Sequence, residues 1–123
     1  MRILALAPAA ITTVLFAATA WAADLATGPQ INAAIAGNIV QGSMVDSGVY
    51  TEFYAADGSI HGNGDTGQWH VTDAEICFCY SPDAVDCWGV LVDGDAVSWI
   101  KDGTVLGIGM IVSGNPNGFL RRS

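Results

Sequence analysis

Cys77, Cys79 and Cys87 are the first residues whose type and spacing could do chemistry. Cys77-x-Cys79 reads either as a redox or metal pair or as half of a structural disulfide. Two thiols are a thin ligand set for a metal, and no Cys-x-x-Cys opens a helix, so the disulfide is the better reading. Cys77 and Cys79 share one face of an alternating segment, and Cys87 begins the next. In an antiparallel pair either one can oppose Cys87 on that face, so the residues alone leave two pairings open. His61 and His70 form a second group, which could join Asp57, Asp65 or Asp73 around a metal. Neither H-x-H nor H-E-x-x-H spacing is present. Both histidines instead read as solvent-facing residues on the polar side of alternating segments. We expect no metal and no other cofactor.

The third group is a pair of Asp-Ser/Thr-Gly triplets. Met44-Val45-Asp46-Ser47-Gly48 has the apolar-apolar-Asp-Ser/Thr-Gly form of aspartic proteases, and Asp65-Thr66-Gly67 is a second triplet. That chemistry needs two carboxylates sharing one proton, from Asp46 and Asp65 or from two copies of Asp46. However, Asn63-Gly64 replaces the apolar pair before Asp65, and the 19-residue spacing is too short for two lobes. Both triplets also fall where tight turns are wanted, and Asp and Gly favour turns for their own reasons. A protease is therefore the alternative reading, and the main reading has no catalytic residue. No nucleophile elbow, phosphate loop or dinucleotide fingerprint is present.

The aromatic residues are the remaining candidates. Tyr54, Trp69, Tyr80, Trp88 and Trp99 could line a pocket for a small apolar ligand. The blander expectation is that Phe53, Trp69, Phe78 and Trp88 fill a core. The short segments favour a filled interior.

The elements that must position these residues follow from composition and pattern. The chain has 123 residues, 51% hydrophobic and 13% charged, which fits one folded domain and excludes a disordered chain. Its formal charge of −8 disfavours nucleic acid and anionic membranes as partners. Residues 1–22 read as a secretory signal peptide: Met1-Arg2, an apolar stretch, then Ala20-Trp21-Ala22 as the cleavage site. Removing them takes Arg2 away, so the charge of the mature domain, residues 23–123, moves from −8 to −9. No stable membrane insertion is expected after cleavage, and the protein is expected to be periplasmic or secreted.

One helix is predicted at about 29–36. Thr27 can cap it, Pro29 suits its first turn, Gly37 can end it, and Ile31, Ala34 and Ile35 form its apolar face. From about 38 to 113 the period is two. Strand-like runs are separated by Asp57-Gly58, Asn63-Gly64, Ser81-Pro82-Asp83, Asp93-Gly94 and Asp102-Gly103. Seven or eight short strands without crossover helices must be antiparallel and up-and-down. A sheet that long in so small a domain should curl and close, removing its edges. The predicted fold is all-β: a small meander barrel with a helix packed on one end, a flattened sandwich being the alternative.

Several stretches resemble a family of small exported proteobacterial proteins of uncharacterised function. They are Tyr50-Thr51-Glu52-Phe53-Tyr54 with Asp57-Gly58, Gly67-x-Trp69, Cys77-Phe78, Cys87-Trp88 and Gly114-Asn115-Pro116-Asn117-Gly118. The resemblance covers nearly all of residues 28–119 and carries over no active site. It implies export, and through its Cys-Phe and Cys-Trp elements it implies a Cys77–Cys87 disulfide. The longer loop of that pairing also accommodates Ser81-Pro82-Asp83 with less strain, leaving Cys79 free. The expected function is a non-catalytic barrel module that binds a small apolar ligand or an envelope protein partner, with a ligand-free structural role as a further alternative. A pocket converging on ionisable groups would favour an enzyme. An exposed apolar patch would favour a partner.

Overall fold

The computed structural model describes residues 25–62, 64, 66–116, 118 and 119. The predicted leader and the expected cleavage site lie outside the described residues. So does Asp65. Among the described residues no helix is long and apolar enough to cross a membrane.

Helix α1, Gly28–Ile35, starts where the capping signals place it. Thr27 Oγ1 accepts the Gln30 backbone N–H at 3.3 Å, and Gln30 Oε1 accepts the Thr27 N–H at 2.9 Å. This reciprocal box satisfies two N–H groups that a helix start otherwise leaves open. Gly37 follows the helix at φ +79°, a left-handed conformation that a glycine adopts without strain. Ile31 and Ile35 are fully buried. Burying two such side chains contributes roughly 1.5–3 kcal/mol each.

Eight strands follow: β1 Asn38–Met44, β2 Gly48–Tyr54, β3 Ser59–Gly62, β4 Thr66–Val71, β5 Ile76–Ser81, β6 Ala84–Asp93, β7 Ala96–Lys101 and β8 Thr104–Val112. Each pairs antiparallel with the next, and β8 returns to pair with β1, so the sheet is a closed barrel. The sandwich alternative is not the fold. Local turn chemistry accounts for the order. At the β7–β8 hairpin both Asp102 and Gly103 have positive φ, as a type I′ turn requires. At the β2–β3 turn Asp57 Oδ1 accepts from the Ser59 amide and hydroxyl. These bonds hold the Asp57 carboxyl below the usual carboxylate range.

The helix and the turns between β2–β3, β4–β5 and β6–β7 lie at one end of the barrel. The connections β1–β2, β3–β4, β5–β6 and β7–β8 lie at the other. The Gly28 N–H donates to Asp73 O, and the Gly37 N–H donates to Tyr54 O, which docks α1 over the first end. There Val40, Tyr54, Ile60, Trp69, Ile76, Val90 and Val97 pack with the helix as a continuous core. A second cluster sits on the outside of the sheet: Ile39, Phe53 and Ala55, covered by Val112 and Phe119. Phe53 is therefore buried, as expected, but on the outer face. Its neighbours Tyr50, Glu52 and Tyr54 face the interior.

The Cys77–Cys87 disulfide forms on the outside of the barrel, with the two residues directly opposite in the β5–β6 ladder. Cys79 is a free, half-buried thiol beside an irregularity in that ladder.

Candidate functional site

The helix plugs only one end of the barrel. At the other end the interior holds a cavity of about 600 Å³, within the range of roughly 300–1,000 Å³ typical of small-molecule sites. The strands are short, yet the interior is not filled throughout. Along this half β8 presents Gly107 and Gly109 inward, and neighbouring side chains occupy the space that their own would take. A Cβ on Gly107 would run into Met44 and Trp99, and one on Gly109 into the Tyr50 hydroxyl and Val40. Bare backbone on β8 therefore lets the large side chains of β1, β2 and β7 lie across the barrel.

Tyr50, Glu52 and Tyr54 alternate inward along β2, and all three line the cavity. The Trp99 indole N–H donates to Tyr50 Oη at 2.8 Å, and Tyr50 donates in turn to Ile108 O at 3.0 Å. Glu52 is only 6% exposed. Its Oε1 accepts the Tyr54 hydroxyl at 2.5 Å, and the Tyr80 hydroxyl reaches Oε1 at 2.9 Å and Oε2 at 3.0 Å. A buried carboxylate is costly unless such donors hold it. Phe78 forms the aromatic joint between these groups: its ring centre lies 5.7 Å from Trp99, 6.0 Å from Tyr54 and 6.2 Å from Tyr80.

This environment keeps the phenols protonated. Burial pushes Tyr50 up to about 12; the Trp99 hydrogen bond works against that shift and the Glu52 charge adds to it. Burial, and then the negative charge of Glu52, hold Tyr54 well above the usual phenol range. Both hydroxyls remain donors throughout the neutral range.

Asp86 and Trp88 from β6 stand at the mouth. Lys101 on β7 pairs with Asp86 and lies 4.2 Å from the centre of the Trp88 ring. Val45, Val49, Val85 and Val105 are exposed around the same end.

The structure thus brings Tyr54, Tyr80, Trp88 and Trp99 to one cavity. Trp69 lies below it in the packed half, its indole N–H donating to Ala55 O at 3.0 Å. Asp46 sits in the exposed β1–β2 turn, beside Ser47 at the cavity mouth. His61 pairs with Thr66 across the β3–β4 ladder, while His70 lies four residues further along β4, a separation of roughly 13 Å at strand rise. His61 Nε2 is 3.0 Å from Ser59 Oγ. The structure does not bring the two histidines together, and among the described residues no cluster could hold a metal ion.

Glu52 is the site residue that sequence reasoning missed. In Tyr50-Thr51-Glu52-Phe53-Tyr54 both faces carry an aromatic, so alternation alone does not say which one is inside. The one available signal was the two tyrosines flanking Glu52 at i ± 2, which can supply donors to an inward carboxylate.

No family model, curated protein or solved structure matches the chain.

Proposed function

We propose that this protein is an exported, non-catalytic barrel that binds one small, largely apolar ligand in the open half of its interior. The observation that carries this reading is the cavity of about 600 Å³, walled by Tyr54, Phe78, Tyr80, Trp88 and Trp99. Aromatic walls supply non-directional affinity, and a few polar groups orient the ligand. Export is supported by the leader pattern in residues 1–22 and by the disulfide, which belongs to oxidising compartments.

A second reading is favoured by the valines around the mouth. Val45, Val49 and Val85 are 71%, 86% and 61% exposed. An apolar rim set among aspartates fits an envelope protein partner seated on the open end.

Titration of the mature protein with the neutral fluorophore N-phenyl-1-naphthylamine tests the ligand reading. We expect saturable binding of one probe per barrel. Met44→Trp, which places a larger ring in the cavity mouth, should abolish it while the far-ultraviolet circular dichroism stays native. Binding that fails to saturate, or that survives Met44→Trp, rules out this cavity. Occupancy of the isolated barrel by the probe also separates the two readings, because docking on the rim does not require it.

A further inference from the structure

We propose that the ligand is an organic cation: an ammonium or amidinium head on an apolar body, with the head received by the Glu52 carboxylate. This inference rests on the ligand-binding reading above and names the chemical class that the cavity selects.

The charges of the wall point one way. Among the described residues, the carboxyl side chains lining the cavity are Glu52 and Asp86, and no Lys, Arg or His lines it. Glu52 is held at 6% exposure with its carboxylate fixed by Tyr54 and Tyr80, so its position is set before any ligand arrives. A hydrogen bond from a cationic donor to a carboxylate is about twice as strong as a neutral one. Burial strengthens it further, because the surrounding dielectric is low. An anionic head would instead meet Glu52 with like charge, while Asp86 at the mouth is already paired with Lys101.

The ring surfaces point the same way. Phe78, Tyr80, Trp88 and Trp99 present aromatic surfaces to the cavity, and the faces of such rings attract cations. The protein already uses this chemistry on itself at the mouth. The Lys101 ammonium is held between the Asp86 carboxylate and the Trp88 ring. Deeper in the cavity Glu52 is joined to the Tyr80 hydroxyl, and the Phe78 ring packs against Tyr80. The formal charge of −8 adds a long-range field that raises the local concentration of cations.

The test compares three probes of one length by isothermal titration calorimetry on the mature protein: octylammonium, octanol and octanoate. We expect octylammonium to bind at least about tenfold more tightly than octanol, a difference of about 1.4 kcal/mol, and octanoate to bind most weakly. In Glu52→Gln, which keeps the shape and removes the charge, the ammonium preference should fall to about twofold or less while octanol affinity is retained. Equal affinity for octylammonium and octanol in the wild type overturns the cation assignment and leaves the ligand-binding reading standing. Absence of binding by all three overturns both. Full retention of the preference in a folded Glu52→Gln overturns the role of Glu52. The wild-type ranking is decisive whether or not that variant folds.

Discussion

Tyr54→Phe should be the most costly single-atom deletion in the site. The substitution removes one oxygen and keeps the ring. Packing against Trp69 at 6.1 Å and Phe78 at 6.0 Å is therefore preserved. What is lost is a 2.5 Å bond to a buried carboxylate from a residue that is itself 2% exposed. Water has little access to replace it. Hydrogen bonds to charged groups are worth roughly 1.5–3 kcal/mol. A domain of this size loses about 4–8 °C of melting temperature per kcal/mol, so the midpoint should fall by roughly 6–24 °C. Tyr80 offers an internal control, because it donates to the same carboxylate from a position 49% exposed. There water can take its place, and Tyr80→Phe should cost only about 0.5–1 kcal/mol. Urea denaturation at neutral pH measures both. A double-mutant cycle isolates the pair: in a Glu52→Gln background the acceptor is neutral, and Tyr54→Phe should then cost about 1 kcal/mol. If Tyr54→Phe lies within about 0.5 kcal/mol of wild type, or costs less than Tyr80→Phe, the buried-donor argument fails.

Two further predictions concern the ladder and the phenols. Cys77 and Cys87 close a loop with a sequence separation of 10, for which loop-closure entropy gives roughly 2.7 kcal/mol. Cys77→Ala should lower stability by about that amount and Cys79→Ala by much less, and a non-reducing peptide map showing Cys79 bridged would reverse the assignment. Stability should also fall as pH rises from about 10, where the unfolded phenols ionise, to about 12, where Tyr50 ionises in the fold. In that window the unfolded chain has released protons that the folded chain still holds, so the contribution is complete below the window and lost across it. Tyrosinate absorbance of the native protein should therefore report at most one of the three tyrosines near pH 10. Two phenols titrating there in a folded barrel would contradict the burial of Tyr50 and Tyr54.

Much of this fold is local, and local structure is legible in a sequence. The Thr27 capping box, Pro29 and Gly37 bound α1 to within a residue, because capping depends on neighbours in the chain. The Asp-Gly turns divide the strands for the same reason: positive φ is a property of single residues. The meander order follows from connections too short for a crossover, and closure follows from having more strands than an open sheet of this size can leave unpaired. The alternation of Cys77 and Cys87 against Ile76, Phe78 and Val90 separates disulfide face from core face, because each strand has only two sides.

The choice of side on β2 and the existence of the cavity depend on residues far apart in the chain. Both faces of β2 carry an aromatic, so alternation alone leaves its inner side open. The tertiary structure turns Glu52 inward and Phe53 outward. Ile39, opposite Phe53 in the β1–β2 ladder, and Val112, brought beside Ile39 by closure, bury that ring on the outer surface together with Phe119. Tyr54 and Tyr80, 26 residues apart, converge on Glu52 and offset the cost of an inward carboxylate. The packing around the cavity has the same origin. Gly107 and Gly109 read as two small residues on a strand. Only the pairing of β8 with β1 and β7 shows that their missing side chains make room for Met44, Tyr50 and Trp99. A sequence states the volume of each side chain; whether those volumes fill the barrel is decided by which of them meet.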